Sequence, residues 1–394
     1  MEGLRGLGNM NNASRRTIPL ATRIVFVCVL AAGAAISVAA RQEKPPMADD
    51  VFKNIQVLRG LTVDEFMGTM GFISASLSMN CSDCHDPTNA ASYASDTPRK
   101  QAARRMIVMV DTLNKANFGG RRQVTCYSCH RGADRPKITP SLAEQYGAPP
   151  EDDPNEVEIS RTPRPNTPSA NQVLGRYIQA LGGAQSLASL NSFVARGTYE
   201  GFDTSGDTVP VDVYAKSPNQ RATVVHLGSG VADNVRVFDG QNAWNTSSGT
   251  LMPIPVVPLT AGELEGAKLE AALSFPSQIE QLLKDWRSGF PSIVIDDKPV
   301  DVVQGMMADN TPAKFYFDRE TGLLVRLVRY TNTRLGFNPT QIDYADYRTV
   351  SGVKMPFKMT TTWTDGRSRI ALNELQANAP IDAARFAKPM PQAR

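Results

Sequence analysis

The sequence predicts a two-part chain, a helical N-terminal segment without strands followed by a mainly antiparallel β segment that carries a few helices. Three observations predict this. Residues 41–145 hold two helix-period apolar stripes and no β-type runs. Residues 171–394 are dominated by short β-type runs separated by turn words such as Asp239-Gly240 and Ser351-Gly352. Between them, residues 146–170 are polar, acidic and rich in Pro, the composition of a semi-rigid linker. With 394 residues, 41% hydrophobic and 21% charged, the chain is long enough for two or three domains and too mixed to be disordered or fibrous.

Residues 1–40 read as an export signal or as a retained N-terminal membrane anchor. Arg23 ends a basic start, and residues 24–40 form an uncharged apolar run of about 17 residues, at the short edge for a spanning helix. Val38-Ala39-Ala40 offers the small residues a signal peptidase needs. The formal net charge of +3 sits in this segment, where Arg5, Arg15, Arg16 and Arg23 face only Glu2. The remainder is neutral, so the basic footprint of a nucleic-acid-binding protein is missing. Cys28 lies inside the apolar run and leaves with it if cleavage occurs.

Residues 41–145 contain a repeat of helix, connector and CxxCH. Thr62 and Glu65 make a capping box that opens the first lead helix. Val63, Phe66, Met67, Met70 and Ile73 then form its apolar stripe. Asp96-Thr97-Pro98 opens the second lead helix, with Pro98 in a tolerated first-turn position. Its stripe is Ala103, Met106, Ile107, Val110 and Leu113, and Gly119-Gly120 stops it. The words that follow are Cys81-Ser-Asp-Cys84-His85 and Cys126-Tyr-Ser-Cys129-His130. They hold four of the five Cys and two of the three His, which excludes a disulfide framework and any site needing many imidazoles.

CxxCH suits covalent attachment of a c-type haem. Two thiols three residues apart on a helical turn reach the vinyl edges of one porphyrin, and the next His becomes the proximal iron ligand. Attachment takes place on the exported side of the membrane, so the export segment and the two words support each other. A tetrathiolate zinc site could use two CxxC pairs but gives no reason for a His after both. A redox dithiol or a pair of local disulfides also competes, but the flanking pattern is not thioredoxin-like. Only His226 remains as a further imidazole, so bis-His ligation of both haems is arithmetically impossible within one chain. Met is the natural sixth ligand, and Met/His ligation raises the reduction potential. Met70 and Met106 lie on the two stripes, Met67 and Met109 stand beside them as alternatives, and core packing is the other reading of each.

The words around these residues resemble a known family. Val51-Phe-Lys-Asn-Ile-Gln-Val-Leu, Glu65-Phe-Met-Gly-Thr-Met70 and the first CxxCH are similar to the first haem segment of the photosynthetic reaction centre cytochrome c subunit. Ala103-Arg-Arg-Met106 and Val124-Thr-Cys126-Tyr-Ser-Cys129-His130-Arg-Gly resemble its second. The resemblance covers about residues 50–140. It implies that each haem takes its sixth ligand from a Met on the helix before its CxxCH, at the positions of Met70 and Met106. The connector from Met70 to Cys81 is slightly shorter than in the family, which keeps Met67 in competition. The family subunit typically carries four haems. Here there are two binding words, and 117–122 lacks the His that serves another haem in the four-haem form. The chain therefore resembles a half-length, dihaem relative, and the resemblance does not tie it to a photosystem. Arg104, Arg105, Arg121 and Arg122 read equally as partners of haem propionates and as a solvated face.

In the second part, a helical stretch at 171–190 precedes β-type runs at 192–199, 209–215, 222–227, 235–238, 314–318 and 323–330. A second helical stretch, 261–286, is broken at Pro276. Val237-Phe-Asp-Gly240, Tyr316-Phe-Asp-Arg-Glu-Thr-Gly322 and Asp346-Tyr-x-x-Val-x-Gly352-Val-Lys-Met-Pro356 resemble the outer-membrane lipoprotein-sorting and carrier-type fold. That resemblance implies a curved antiparallel sheet wrapped round helices, with an apolar concave face for an apolar ligand. A docking or scaffold role is the alternative, because fold does not determine activity. No nucleophile–base pair, phosphate loop or metal cluster is evident in this part, and His226, near the end of a β run, reads as structural.

The expectation is an exported dihaem c-type cytochrome, periplasmic or membrane-anchored, that is not an enzyme and carries single electrons between redox protein partners of the envelope. Cys81, Cys84, His85 and Met70 would hold one haem, and Cys126, Cys129, His130 and Met106 the other. A dihaem peroxidase or oxidase with one open iron, and a lipid- or lipoprotein-binding module with redox-sensing haems, are the rivals.

Overall fold

A computed structural model describes residues 44–86, 93–147, 157–159, 166–228, 230–246, 253–289 and 293–391. Residues 1–40, expected to be an export signal or an anchor, and most of the Pro-rich linker lie outside the described residues. Local rules place the first helices where the sequence predicts them. In Val63–Leu77, the Thr62 hydroxyl accepts from the Glu65 N–H and the Glu65 carboxylate accepts from the Thr62 N–H. Pro98–Phe118 is capped by Thr97, carries Pro in its first turn and ends at left-handed Gly119. Each CxxC word is itself a helical turn, Cys81–Cys84 and Cys126–His130. Among the described residues of 44–147 the regular elements are helical, apart from one isolated bridge between Met47 and Thr62.

The remainder folds around one antiparallel sheet. Its strands are β1 (Ser192–Gly201), β2 (Thr208–Lys216), β3 (Gln220–Val225), β4 (Asn234–Phe238), β5 (Ala243–Thr246), β6 (Val256–Pro258) and β7 (Lys284–Ser288). They continue as β8 (Ile293–Ile295), β9 (Lys298–Met306), β10 (Pro312–Asp318), β11 (Leu324–Asn332), β12 (Phe337–Val350), β13 (Val353–Trp363) and β14 (Gly366–Ala377). The order is β6-β5-β4-β3-β2-β1-β14-β13-β12-β11-β10-β9-β7, with β8 beside β9. Asn245 of β5 and Asn338 of β12 line one cavity. Laid flat, strands seven steps apart would be separated by roughly 34 Å at about 4.8 Å per step. The sheet is therefore rolled, and the helix Ala261–Ala272 lies inside the roll against β3, β4, β5 and β11. Leu324, Leu327, Phe315, Phe317 and Val303 supply the buried apolar centre.

Two helical expectations are corrected. The stretch 171–190 is two helices, Ala170–Ala180 and Gly183–Ser189, because Gly182 and Gly183 turn the backbone through positive φ. The stretch 261–286 stops being helical at Ala272, resumes for one turn at Ile279–Leu282, and then becomes β7. Trp286 thus belongs to the sheet. Its ring meets Phe315 edge-on at 5.2 Å, and its indole N–H donates to the Glu280 carbonyl at 2.8 Å.

The helical segment and the sheet share one compact body, residues 45–394. The turn after β11 inserts between the lead helices. Leu335 is buried with Leu58, Phe72 and Ile107. Arg334 pairs with Asp111 at 2.6 Å, and Arg122 donates to the Thr333 carbonyl and the Asn332 side-chain oxygen. Gly336 abuts the Phe72 ring so closely that a Cβ there would collide with it. Further along, Asn338 donates to the Gly68 carbonyl at 2.7 Å, and the Asp64 carboxylate accepts from the Thr260 N–H at 2.8 Å.

This grip alters the predicted stripes. In the first lead helix Val63 and Phe72 are buried together with Thr69, Gly71 and Ser76, while Met67 is exposed. In the second, Ile107, Val110 and Asn114 are buried and Met106 is turned outward. Elements far along the chain cover these helices on more than one side, so a single stripe underestimates what is covered.

Asp64 gives the grip a pH dependence. Burial, then the nearby Glu263 carboxylate, push its carboxyl from 3.8 to about 7, against the lowering effect of Thr260 and Arg236. The native protein therefore holds a proton that the unfolded chain releases. That contribution to stability is complete below about pH 4 and is lost as pH rises through about 7. Asp64→Asn keeps a neutral acceptor for Thr260. Between about pH 5 and about pH 8, the urea midpoint of the wild type should fall relative to that of the variant. Parallel curves would remove Asp64 as the titrating group.

Candidate functional site

The first CxxCH word is placed by the start of the second lead helix, and the second word by both lead helices. In the first, Cys81 is exposed and Cys84 half-buried, both as free thiols. Their spacing on one helical turn puts them on one face. Arg99 donates to the Asp83 carbonyl at 2.7 Å and the Thr97 hydroxyl to the Cys84 carbonyl at 3.4 Å, tying this word to the start of the second lead helix. His85 follows in extended backbone, and its ring stacks on Tyr93 with centroids 4.5 Å apart. Its Nδ1 is buried without a hydrogen-bond partner. Burial, and secondarily Lys100, push the imidazole pKa down and favour the neutral form that a metal ligand requires.

In the second word Cys126 is half-buried and Cys129 exposed, again as free thiols. His130 Nδ1 lies 3.0 Å from the Ala133 carbonyl. Donation from Nδ1 fixes the tautomer whose Nε2 is available as a ligand. Asn114 holds the approach to this word. Its amide donates to the Val124 carbonyl at 2.7 Å, and its oxygen accepts from the N–H groups of Gln123 and Val124 at 3.1 and 3.0 Å. The Gly132 N–H donates to the Ser76 carbonyl at 3.1 Å, joining the end of this word to the end of the first lead helix. The structure therefore interleaves the two sequence repeats.

The four methionines weighed as ligands fall in different settings. Met70 packs, with Cys126, against the apolar cluster of Leu58, Phe72 and Ile107. Met67 lines the cavity of the sheet. Met106 and Met109 lie on an outward flank, 40% and 48% exposed. Of the four arginines weighed for propionates, Arg122 is engaged by the β11–β12 turn and Arg104 by Asp96 at 2.7 Å, while Arg105 and Arg121 are exposed. His226 lies between Asp233 and Asp212, at 3.0 and 3.3 Å.

These residues fit a c-type haem better than zinc. Among the described residues, no three His, Cys, Asp or Glu side chains converge as a metal cluster, so the four thiols do not form a tetrathiolate site. Burial pushes the Cys84 and Cys126 thiols up, which favours thiol over thiolate. Each word instead presents paired thiols on one face beside a His, and the second lead helix leaves apolar methionines uncovered. Sequence reasoning missed Asn114 and the wedge of the β11–β12 turn. An Asn at the next helical step after Ile107 and Val110 was the available signal.

Comparison with known proteins agrees with the first resemblance. Residues 1–154 match the family model described as photosynthetic reaction centre cytochrome C subunit. The chain is similar to the photosynthetic reaction center cytochrome c subunit of Thermochromatium tepidum, 36% identical over 140 residues, which is 34% of this chain and 32% of the relative. It is also similar to that of Roseobacter denitrificans, 34% identical over 98 residues, which is 23% of this chain and 26% of the relative. The chain spans about a third or less of the curated relatives it matches. Among solved structures, a LolA superfamily protein from Nitrosomonas europaea aligns over 56% of this chain and 99% of its own, at 11% identity and a TM-score of 0.39. A DUF1329 family protein from Desulfovibrio piger aligns over 55% and 97%, at 10% identity and a TM-score of 0.38.

Asn114 gives this site its first test. Asn114→Ala removes three hydrogen bonds and leaves backbone groups of 123–124 unpartnered, a loss of about 2 kcal/mol or more in stability. Hydrogen exchange should quicken across 123–130 before the rest of the protein. Unchanged exchange there would remove Asn114 as the clamp.

Proposed function

We propose that this protein is an exported dihaem c-type cytochrome that passes single electrons between redox partners of the cell envelope. One observation carries the reading. Both CxxCH words are helical turns with one free thiol exposed, the first tied to the start of the second lead helix and the second seated against both lead helices. Cys81, Cys84 and His85 would hold one haem, and Cys126, Cys129 and His130 the other. When bound, a c-type haem supplies a reversible one-electron change at its iron.

The chain's own residues serve that chemistry by positioning. Thr97 and Arg99 hold the first word, and Asn114 and Ser76 the second. The Ala133 carbonyl orients His130. Met70, seated against an apolar cluster, and Met106, on the outward flank, are the sixth ligands favoured by family position. Met67 is the weaker candidate because it lines the sheet cavity. Similarity to reaction centre cytochrome subunits supports electron transfer rather than turnover of a substrate. The partners would be other envelope redox proteins.

The test is redox titration of the full exported chain. A pyridine haemochrome spectrum should give two haems per chain, and the titration two one-electron waves. Met70→Leu and Met106→Leu should each leave one haem five-coordinate or misligated and halve the methionine-to-ferric charge-transfer band. Loss of the band in only one variant would contradict the symmetric assignment. Tight CO binding to one haem of the native protein would favour a dihaem peroxidase or oxidase.

A further inference from the structure

The two CxxCH words sit in unequal electrostatic settings. Residues 81–104, from the first word into the second lead helix, hold three basic and three acidic side chains. These are largely matched on the spot. Arg99 lies 3.6 Å from Asp83, and Arg104 lies 2.7 Å from Asp96. Residues 105–137, which run from the second lead helix past the second word, hold seven basic side chains against two acidic. Of those acids Asp111 is taken by Arg334 at 2.6 Å, which leaves Asp134 to oppose the cations.

The fold arranges these cations around the second word. Arg105 and Lys115 are exposed on the second lead helix, away from its buried Ile107, Val110 and Asn114. Arg121 is exposed where the chain leaves that helix for the word. Beyond the word, the Lys137 N–H donates to the Cys129 carbonyl at 2.8 Å, which folds the exposed Arg135 and Lys137 back beside it. Among the described residues, none of Arg105, Lys115, Arg121, Arg135 and Lys137 has a carboxylate within 4.0 Å. Unpaired like charges around one site repel one another, and an opposite charge brought from outside relieves them. Tyr127 in the word and Ile138 beside Lys137 are exposed as well. Arginine and aromatic side chains together are the composition of a protein contact surface. A lipid surface would satisfy the cations but neither gives nor takes an electron, whereas a redox protein does both.

We propose that the second CxxCH word, rather than the first, is the port at which this protein exchanges electrons with a one-electron redox protein that presents an acidic face. The proposal rests on the dihaem reading above and adds the charge of the partner and the place where it docks. One electron crosses the contact, one side is oxidised and the other reduced, and no bond is made or broken. Opposite charge steers the encounter and sets the orientation of the two faces, and salt screens it.

Stopped-flow electron exchange of the full holoprotein with an acidic blue-copper protein and with a basic single-haem cytochrome c tests this, each run in its spontaneous direction. Between about 10 and about 300 mM ionic strength, the second-order rate constant with the acidic protein should fall at least about tenfold, and that with the basic protein should not fall. Arg105→Gln/Lys115→Gln and Arg135→Gln/Lys137→Gln should each slow the acidic protein at least about threefold at low salt, and stay within about twofold of wild type at high salt. Lys53→Gln and Lys298→Gln, at exposed lysines outside this segment, should leave both rates unchanged. A rate with the acidic protein that ignores salt, or that Lys53→Gln slows as much as the paired variants do, overturns the port. If a paired variant does not fold, the salt dependence of the wild type still decides. Preference for phosphatidylglycerol over phosphatidylcholine vesicles, or salt-sensitive self-association, lost in the paired variants while their rates stay at wild type, overturns the port in favour of a membrane or a second copy. A haemochrome spectrum of the same sample reports separately on the dihaem reading. Two haems with salt-insensitive rates sink the port alone, whereas absence of haem removes the dihaem reading and the port with it.

Discussion

The seat of the helix Val63–Leu77 is the constraint on which the rest of the molecule depends. At 15 residues it is near the limit below which an isolated helix is marginal in water. Tertiary partners hold it along its whole length. Thr260 meets Asp64, Asn338 meets Gly68, Gly336 and Leu335 meet Phe72, and Gly132 meets Ser76. The first three contacts come from the sheet and its inner helix, and the last from the end of the second CxxCH word. The helix is therefore both a wall of the sheet cavity and a support of the candidate haem site.

That seat rests in turn on a buried ion pair. Arg329 of β11 is 3% exposed at its side chain and needs the Glu263 carboxylate. Burial alone would raise the Glu263 pKa, but Arg329 outweighs it, and the carboxyl falls to about 2. Removing one partner would leave the other as a buried charge, which is far more costly than losing a surface pair. Gly266 is required here, because a Cβ would run into the guanidinium. The pair fixes the helix Ala261–Ala272 inside the roll. Thr260, the residue before that helix, is thereby presented to Asp64. The dependence runs from β11 through Arg329, Glu263 and Thr260 to the first lead helix.

What the sequence made legible is what local chemistry decides. The Thr62–Glu65 capping box, Pro98 in the first turn, the Gly119 stop and the helical CxxC turns all depend on residues a few positions apart. Six of the fourteen described strands, β1 to β4, β10 and β11, were legible from their apolar runs and turn words. Features that needed distant partners were hidden. Met67 and Met106 sit on apolar stripes, yet the wedge of Leu335 and Arg334 decides which side of each helix is covered. Trp286 follows a helical pattern, yet Phe315 draws it into β7. Arg122 read equally as a propionate partner and as a solvated side chain, because its engagement by Thr333 and Asn332 is not written near it.

The same long-range packing explains how so short a cytochrome-like segment folds. The similarity covers only about a quarter to a third of each relative, and a helical stretch of that size buries little apolar surface by itself. Here the sheet contributes the missing cover. Leu335 enters the cluster of Leu58, Phe72 and Ile107, and Arg334 closes over Asp111. Among the described residues, the large apolar side chains left exposed in this segment include Met106, Val108 and Met109 on one flank of the second lead helix, and Tyr127 in the second word. An exposed apolar flank is costly to leave in water, and the planar macrocycle proposed above would supply apolar cover of the kind it lacks. On this reading the sheet and the haems divide between them the burial that the segment cannot achieve alone.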